Sequence, residues 1–278
     1  AGIDYPRHFD EFNSWFTDEA TCRNYIFRLR WPKGYQCQCC SSPRPPWVTS
    51  RGYLHCRDCQ KEISITAGTV FERTRMPLRT WLHKLRQAMV RPDRERLRGR
   101  VEVDETYVGG PEQGGKRGRG AENKEIVVIA VEVHSPKGFG RVRMQRIPDV
   151  SGVRLVPFVR DVVESGCEIL TDGWGGYNDL SKHGYKHNKT VLSETGDPAH
   201  VAMPGVHRIA SLLKRWLLGT HQGAVSGKHL DYYLDEYTFR FNRRKSGSRG
   251  MLFYRLMEQA VMTAPLPYRQ IVDGDHKI

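Results

Sequence analysis

The stretch Val101-Glu102-Val103-Asp104-Glu105-Thr106-Tyr107-Val108 decides how the chain is read. Apolar and polar residues alternate along it, which predicts a strand with one face buried. It runs into Gly109-Gly110, the start of a glycine-rich loop to Gly120 that holds Lys116, Arg117 and Arg119. Residues 126–133 are almost continuously apolar and read as a buried strand. Pro136-Lys137-Gly138 turns the chain, and 140–147 alternates again as a third strand. Residues 153–163 read as a helix ended by Gly166. A fourth strand over 167–170 delivers Asp172 just past its end, and 185–192 is a fifth. Helical apolar spacing returns at 207–218, 229–241 and 251–262.

A three-strand meander followed by alternating helices and strands is the order of an RNase H-like fold. The predicted class is therefore α/β, with a mixed five-stranded sheet and helices. Such an order is shared by many families, so function must come from the site. In this fold the first and fourth strands are neighbours, and phosphodiester chemistry there uses divalent ions held by carboxylates. Asp104 and Asp172 fit that placement. A third ligand comes from the helix that follows, where His207 stands. Lys214 lies seven residues later, about two helical turns, on the same side. Glu105 is an alternative to Asp104, although strand alternation turns it to the opposite face.

Upstream, Cys37-x-x-Cys40 and Cys56-x-x-Cys59 are separated by fifteen residues. Two such knuckles can supply four thiolates to one tetrahedral zinc. Four thiolates leave no position for water, so this zinc is structural. The segment is too short for a core of its own, so the metal supplies much of its folding free energy. Cys39 offers Cys37 a second partner, but the closer pair is less common for zinc, which favours Cys40. Cys22 and Cys167 read as buried thiols. Trp47, Arg44, Arg51 and Arg57 around the ribbon lean towards nucleic acid. Further upstream, Phe9, Phe12, Trp15 and Phe16 read as core aromatics, and Thr17-Asp18-Glu19-Ala20 as a helix start. A helix is predicted around 80–89. After it, five arginines among residues 91–100 suit phosphates.

The chain has 278 residues, enough for about two domains. At 38% hydrophobic and 27% charged it is too apolar for a disordered chain. No apolar run long enough for a membrane span occurs, and the opening AGIDYPRHFDEF gives no expectation of a secretory signal. The 44 Lys+Arg against 31 Asp+Glu leave a net charge of +13, which points to a polyanionic partner. The odd cysteine number, seven, argues for a reducing compartment rather than a disulfide framework.

Six stretches carry a resemblance: RWPKGYQCQCC, SITAGTVFE, VEVDETYVGG, ILTDGWGGY, VHRIASLLKRWLLGTHQGAVSGKHL and YLDEYTFRFNRR. On these the chain resembles bacterial insertion-sequence transposases of the zinc-ribbon, ISXO-two-like (fifteen-ninety-five) family. The likeness extends from about residue 5 to about residue 260. It implies DNA cleavage and strand transfer by a DDE-type core. The first and second Asp of that core fall on Asp104 and Asp172, and the downstream lysine falls on Lys214. The third acidic position falls on His207, as in one subgroup of the family. Around Met76-Pro77-Leu78-Arg79-Thr80-Trp81 the chain is shorter than its relatives, which carry a further helical segment there.

The expected layout is an N-terminal helical segment (1–30), a zinc ribbon (31–66) and a helical, Arg-rich, shortened linker (67–100). An RNase H-like core (101–250) and a C-terminal helix and tail (251–278) complete it. Expected cofactors are structural Zn and catalytic Mg or Mn. With His207 as a ligand, Mn²⁺ is expected to serve at least as well as Mg²⁺. The expected partner is double-stranded DNA, both element ends and target, gripped by Lys116, Arg117, Arg119, Arg215, Arg240, Arg243, Arg244, Lys245 and the 91–100 linker. No membrane partner is expected, and joining two ends calls for a homo-oligomer. The location implied is the bacterial cytoplasm, at the nucleoid. Two alternatives stand beside this reading: a non-catalytic DNA-binding protein descended from a transposase, and a structure-specific nuclease that cuts without strand transfer.

Overall fold

The computed structural model describes residues 14–72, 84–90, 94–109, 124–134, 138–190, 203–221, 227–265, 269 and 271. In chain order these residues form α1 (Glu19–Arg30), β1 (Trp47–Val48), β2 (Leu54–His55), β3 (Glu62–Ile63), β4 (Arg100–Val108), β5 (Glu125–Val133) and β6 (Phe139–Ile147). There follow α2 (Gly152–Val162), β7 (Glu168–Asp172), a 3-10 helix (Gly175–His183), β8 (Lys186–Thr190), α3 (Pro204–His221), α4 (Gly227–Asn242) and α5 (Arg249–Met262). They fall into two compact units, one drawn from Ala1–Arg91 and Lys245–Asp275, the other from Pro92–Arg244.

In the first unit, α1 starts where the sequence signals it. The Asp18 carboxylate accepts the Thr21 amide at 2.8 Å, and the Thr21 hydroxyl accepts the Asp18 amide at 3.3 Å. Such a box satisfies two of the first-turn N–H groups and stabilises a helix by about 1 kcal/mol. One side of α1 meets α5 through aromatic rings: Tyr25 stacks on Phe253 at 6.3 Å, and Phe16 meets Tyr25 edge-on at 5.1 Å. Trp15 and Phe16 are thus packed, as expected of core aromatics; Phe9 and Phe12 lie outside the described residues. The end of α1 joins the ribbon, where Phe27, Trp31 and Tyr35 pack on Leu54, Ile65 and the buried cysteines. The buried Arg30 guanidinium donates to the carbonyls of Ile65 and Ala67, tying the helix to the chain beyond β3. Residues 84–88 are helical; the remainder of the helix expected at 80–89, and the shortened stretch 76–81, lie outside the described residues.

The second unit is built on a five-stranded sheet of order β6-β5-β4-β7-β8. β4, β5 and β6 pair antiparallel, whereas β7 and β8 join in parallel. This order, with the first and fourth strands of the unit adjacent, is that of an RNase H-like core. Both faces are covered. On one, Val101, Val103, Val128 and Ala130 meet Leu155 and Val159 of α2 and Tyr177 of the 3-10 helix. On the other, Val127, Ile129 and Val131 meet Val206, Ile209 and Leu213 of α3 and Leu230 and Leu234 of α4. β5 therefore lies between two apolar layers, which is why its sequence is apolar without alternation. Edge strand β8, Lys-His-Asn-Lys-Thr, carries charges that discourage pairing with another chain.

Two buried carboxylates organise this unit. Glu102, 2% exposed, accepts the Val206 amide at 2.9 Å, so β4 caps the first turn of α3. Pro204 begins that turn, where a missing N–H costs nothing. Gly205 lets it approach, since a Cβ there would stand 2.9 Å from the Glu102 carboxylate and 3.2 Å from Val131 and Val133. Glu132 on β5 accepts the Arg98 amide at 3.0 Å, the Arg141 amide at 2.7 Å and the Arg141 guanidinium at 2.8 Å. Burial alone would raise the Glu132 pKa, but the bonds from Arg141 and Arg98 hold it below the usual carboxylate range.

Candidate active site and metal centre

The ribbon cysteines are gathered by two turns of the same form. The Ser41 amide bonds the Cys37 carbonyl at 2.9 Å, and the Gln60 amide bonds the Cys56 carbonyl at 3.1 Å. Both closing residues adopt left-handed φ, 59° at Ser41 and 61° at Gln60. Each turn thereby directs two thiols inwards. The Sγ atoms of Cys37, Cys40, Cys56 and Cys59 all lie within 4.8 Å of one another, with Cys37 and Cys59 at 3.8 Å and Cys40 and Cys56 at 3.7 Å. Sulfurs 2.3 Å from a central zinc in a tetrahedron stand about 3.8 Å apart, so the donor set fits zinc in spacing and in chemistry. The amides of Cys40 and Cys39 hold the Cys37 pKa down to about 6, favouring the thiolate. Cys39 is exposed and outside the cluster. The ribbon therefore takes Cys40 as the partner of Cys37 and carries a four-thiolate structural zinc site.

The core places its polar residues by strand register. β4 and β7 run parallel with Arg100 beside Glu168 and Glu102 beside Leu170. The ladder between the two strands ends there; Asp104 and Asp172 each lie two residues further along, so by strand alternation they point to the face of Glu102 and of Leu170. Asp104 shares its face with Glu102, which seats α3. His207, the residue after Val206, consequently stands over Asp104, with Nε2 3.9 Å from Oδ2. Both side chains remain partly open, 16% exposed for Asp104 and 32% for His207. Two donors 3.9 Å apart can share a metal ion with bonds of about 2.0–2.2 Å, and the set of carboxylates and imidazole suits Mn²⁺ at least as well as Mg²⁺. The Asp172 Oδ1 accepts the Trp174 amide at 3.0 Å, which fixes this carboxylate at the strand end. Among the described residues only the four cysteines form a group of three or more metal donors within 4.8 Å. Asp172 thus lies on the neighbouring strand, and the three side chains do not close into one donor cluster.

Glu105 projects to the other face, as strand alternation requires, and accepts the Tyr177 hydroxyl at 3.2 Å. Tyr177 is fully buried. Burial, then the Glu105, Asp104 and Asp172 carboxylates, raise its pKa far above the usual value, so it stays a protonated donor beneath them. Neither Tyr177 nor Glu102 stood out in the sequence. The available signal for Glu102 was a charge on the face of β4 shared with Asp104, one strand period before it.

Lys214 lies two turns beyond His207 on α3 and is solvent-exposed, yet the protein around it, and then Lys124, lower its pKa. Arg215 is exposed beside it. Arg240 pairs with Glu236 at 3.3 Å, and Arg243 lies over the Phe239 ring at 4.0 Å. Arg244 is tied inwards, donating to the carbonyls of Gly140, Phe241 and Phe139. Lys245 is exposed. Lys116, Arg117 and Arg119 lie outside the described residues. No described helix is long and apolar enough to cross a membrane.

Residues 96–242 match the ISXO2-like transposase domain, and residues 17–62 match the transposase zinc-ribbon domain. A protein of the transposable element ISH50 of Halobacterium salinarum is 25% identical over 276 residues, 81% of this chain and 91% of that one. Among solved structures, the catalytic core domain of BIV integrase matches at 18% identity with a TM-score of 0.35, over 64% of this chain and 95% of that one. The transposase domain spans more than half of the chain and coincides with the RNase H-like unit, and its companion ribbon coincides with the four-thiolate site: the chain belongs to the ISXO2-like transposase family.

Proposed function

We propose that the chain is a DDE-type DNA transposase that cuts DNA at the ends of an insertion sequence and transfers the cut strand to target DNA. The observation that carries this reading is the 3.9 Å approach of His207 to Asp104 on β4, the strand beside the one that ends in Asp172. Asp104, Asp172 and His207 hold divalent ions, Mg²⁺ or Mn²⁺, which when bound activate a hydroxyl nucleophile and neutralise charge on the phosphate. Asp104 and His207 face each other from strand and helix, so the helix seat at Glu102 sets their separation. Lys214 holds a phosphate oxygen of the substrate strand, because it stands two helical turns beyond His207 on the same side of α3.

In the first step water attacks a phosphodiester. One P–O bond forms, the bond to the 3′ oxygen breaks, and a 3′-OH is released. In the second step that 3′-OH attacks target DNA, again exchanging one P–O bond for another. Arg215, Arg240 and Arg243, with Lys116, Arg117 and Arg119, hold the backbone of double-stranded DNA, giving affinity that falls with salt. Arg244 supports this grip indirectly, by fixing the start of β6. The domain layout given above, a homo-oligomeric complex joining two ends and a place at the bacterial nucleoid belong to the same proposal.

The test is a cleavage and strand-transfer assay on DNA carrying the element's own ends, with Mn²⁺ or Mg²⁺, beside Asp172→Asn. Metal-dependent 3′-OH ends and joined products, both lost in the variant, are expected. Cleavage without joining would reassign the chain to a nuclease. Binding without cleavage would make it a DNA-binding descendant.

A further inference from the structure

At the end of the core sheet away from Asp104, residues 94–98 run beside the C-terminal end of α2. Leu97 locks them there, its amide on the Val162 carbonyl at 2.7 Å and its carbonyl on the Glu164 amide at 2.9 Å. The arginines on this edge then divide. Arg98 is paired with Glu164 at 2.7 Å, and Arg100 with Glu168 at 3.9 Å. Arg96 and Arg160 have no carboxylate within ion-pair distance among the described residues. Arg96 instead donates Nε to the backbone carbonyl of Asp161 at 3.0 Å. Both guanidiniums line a cleft of about 500 Å³ together with His183, Ser165, Tyr185 and Asp161. The Asp161 carboxylate acts on the neighbouring Arg94. The two guanidiniums both act on the buried Tyr185 hydroxyl, against the effect of its burial. A concave surface thus presents two guanidiniums that are in no ion pair among the described residues, an imidazole and a hydroxyl, with one carboxylate, that of Asp161.

We propose that this cleft binds a phosphodiester of the DNA backbone, at a second contact point separate from the Asp104–His207 centre. The proposal rests on the DNA reading above. Guanidinium forks match paired phosphate oxygens. The Tyr185 phenol ring is 6% exposed and gives its hydroxyl to the Val163 carbonyl, so the cleft offers guanidiniums and the His183 imidazole but no open Phe, Tyr or Trp face for a base. The site therefore reads phosphate and not base, as a positioning contact does. Eight residues separate Arg96 from Asp104, a span of at most about 28 Å. At 3.4 Å per base pair the contact falls within about eight base pairs of the reacting phosphate.

The test uses the full chain and a fluorescent duplex carrying an element end, with binding followed from low to moderate salt. Wild type is compared with Arg96→Ala/Arg160→Ala and with Arg160→Glu alone. Each phosphate contact contributes about 0.9 to the slope of log affinity against log salt. The double variant and Arg160→Glu should each be shallower by about one and weaker by about tenfold. Arg160 is exposed, so its reversal tests the cleft even if loss of Arg96 disturbs the fold. A wild-type slope in Arg160→Glu overturns the proposal. So does inorganic phosphate that fills the cleft, seen as shifts at His183, without weakening DNA binding. Failure of wild type itself to bind the duplex would instead overturn the DNA reading.

Discussion

Arg141→Met removes the guanidinium from a buried ion pair while keeping the length of its apolar stem. The side chains concerned are 27% exposed for Arg141 and 8% for Glu132. After the change Glu132 keeps the amides of Arg98 and Arg141 but loses its guanidinium bonds, at 2.8, 3.2 and 3.3 Å, and its counter-charge. Removing one partner of a buried pair costs about 3–5 kcal/mol, and the two amides that remain place this case at about 3. For a unit of about 150 residues 1 kcal/mol moves Tm by about 2–4 °C, so Tm should fall by about 6–12 °C. The sign with pH follows from Glu132. In wild type its folded pKa is held below 4.5, so the pair contributes above that pH and the contribution is lost as acid protonates the carboxylate. In the variant burial acts with less opposition, the pKa rises, and acidification relieves the strain of a buried charge. The gap in Tm should therefore be widest near neutrality and narrow towards pH 4. Adding Glu132→Gln to Arg141→Met should recover most of the loss. Thermal unfolding of the full chain by circular dichroism between pH 4 and 8 measures all three. A drop under about 2 °C, or a gap that does not shrink in acid, would refute this account of the pair.

Glu102→Gln keeps an oxygen for the Val206 amide and removes a buried charge. Burial raises the Glu102 pKa above 4.5, so its contribution is full at low pH and is lost as pH rises through that value; Gln should match or exceed wild-type stability at pH 7. Glu102→Ala should instead cost about 1–3 kcal/mol by leaving buried amides without an acceptor, and should speed hydrogen exchange at Val206. Cys56→Ser should abolish bound zinc by elemental analysis and unfold the ribbon with the second unit retained, whereas Cys39→Ser should keep full zinc content; equal zinc in both variants would refute the ligand set. Tyr177→Phe removes a bond to a carboxylate and should destabilise the core by about 1.5–3 kcal/mol in denaturant titration.

Local rules made much of this molecule legible. The alternation of Val101 to Val108 and the apolar run of β5 reflect burial on one face and on two. Asp18 and Thr21 announce a helix start through their own backbone. The paired Cys-x-x-Cys spacings specify turns that the structure forms almost identically. Local rules also put Asp104 within β4 and Asp172 at the last position of β7, on strands that the fold makes neighbours. What stayed hidden depends on tertiary placement. Glu102 looks like any polar residue of a strand until α3 is set against it by Gly205. Tyr177 has a role only because a 3-10 helix brings its hydroxyl beneath Glu105. Arg244 reads as a surface cation, yet its donors meet carbonyls more than a hundred residues away in sequence. Nor does periodicity reveal that α5 returns to pack on α1.

The most direct test of the central claim is DNA cleavage and DNA binding by Asp104→Asn, measured side by side with Mn²⁺ and with Mg²⁺. The account predicts that metal-dependent cleavage vanishes while binding is kept or tightened, because a metal-holding carboxylate and its repulsion of phosphate are lost together. Cleavage that survives in Asp104→Asn, or binding that disappears with it, would contradict the assignment.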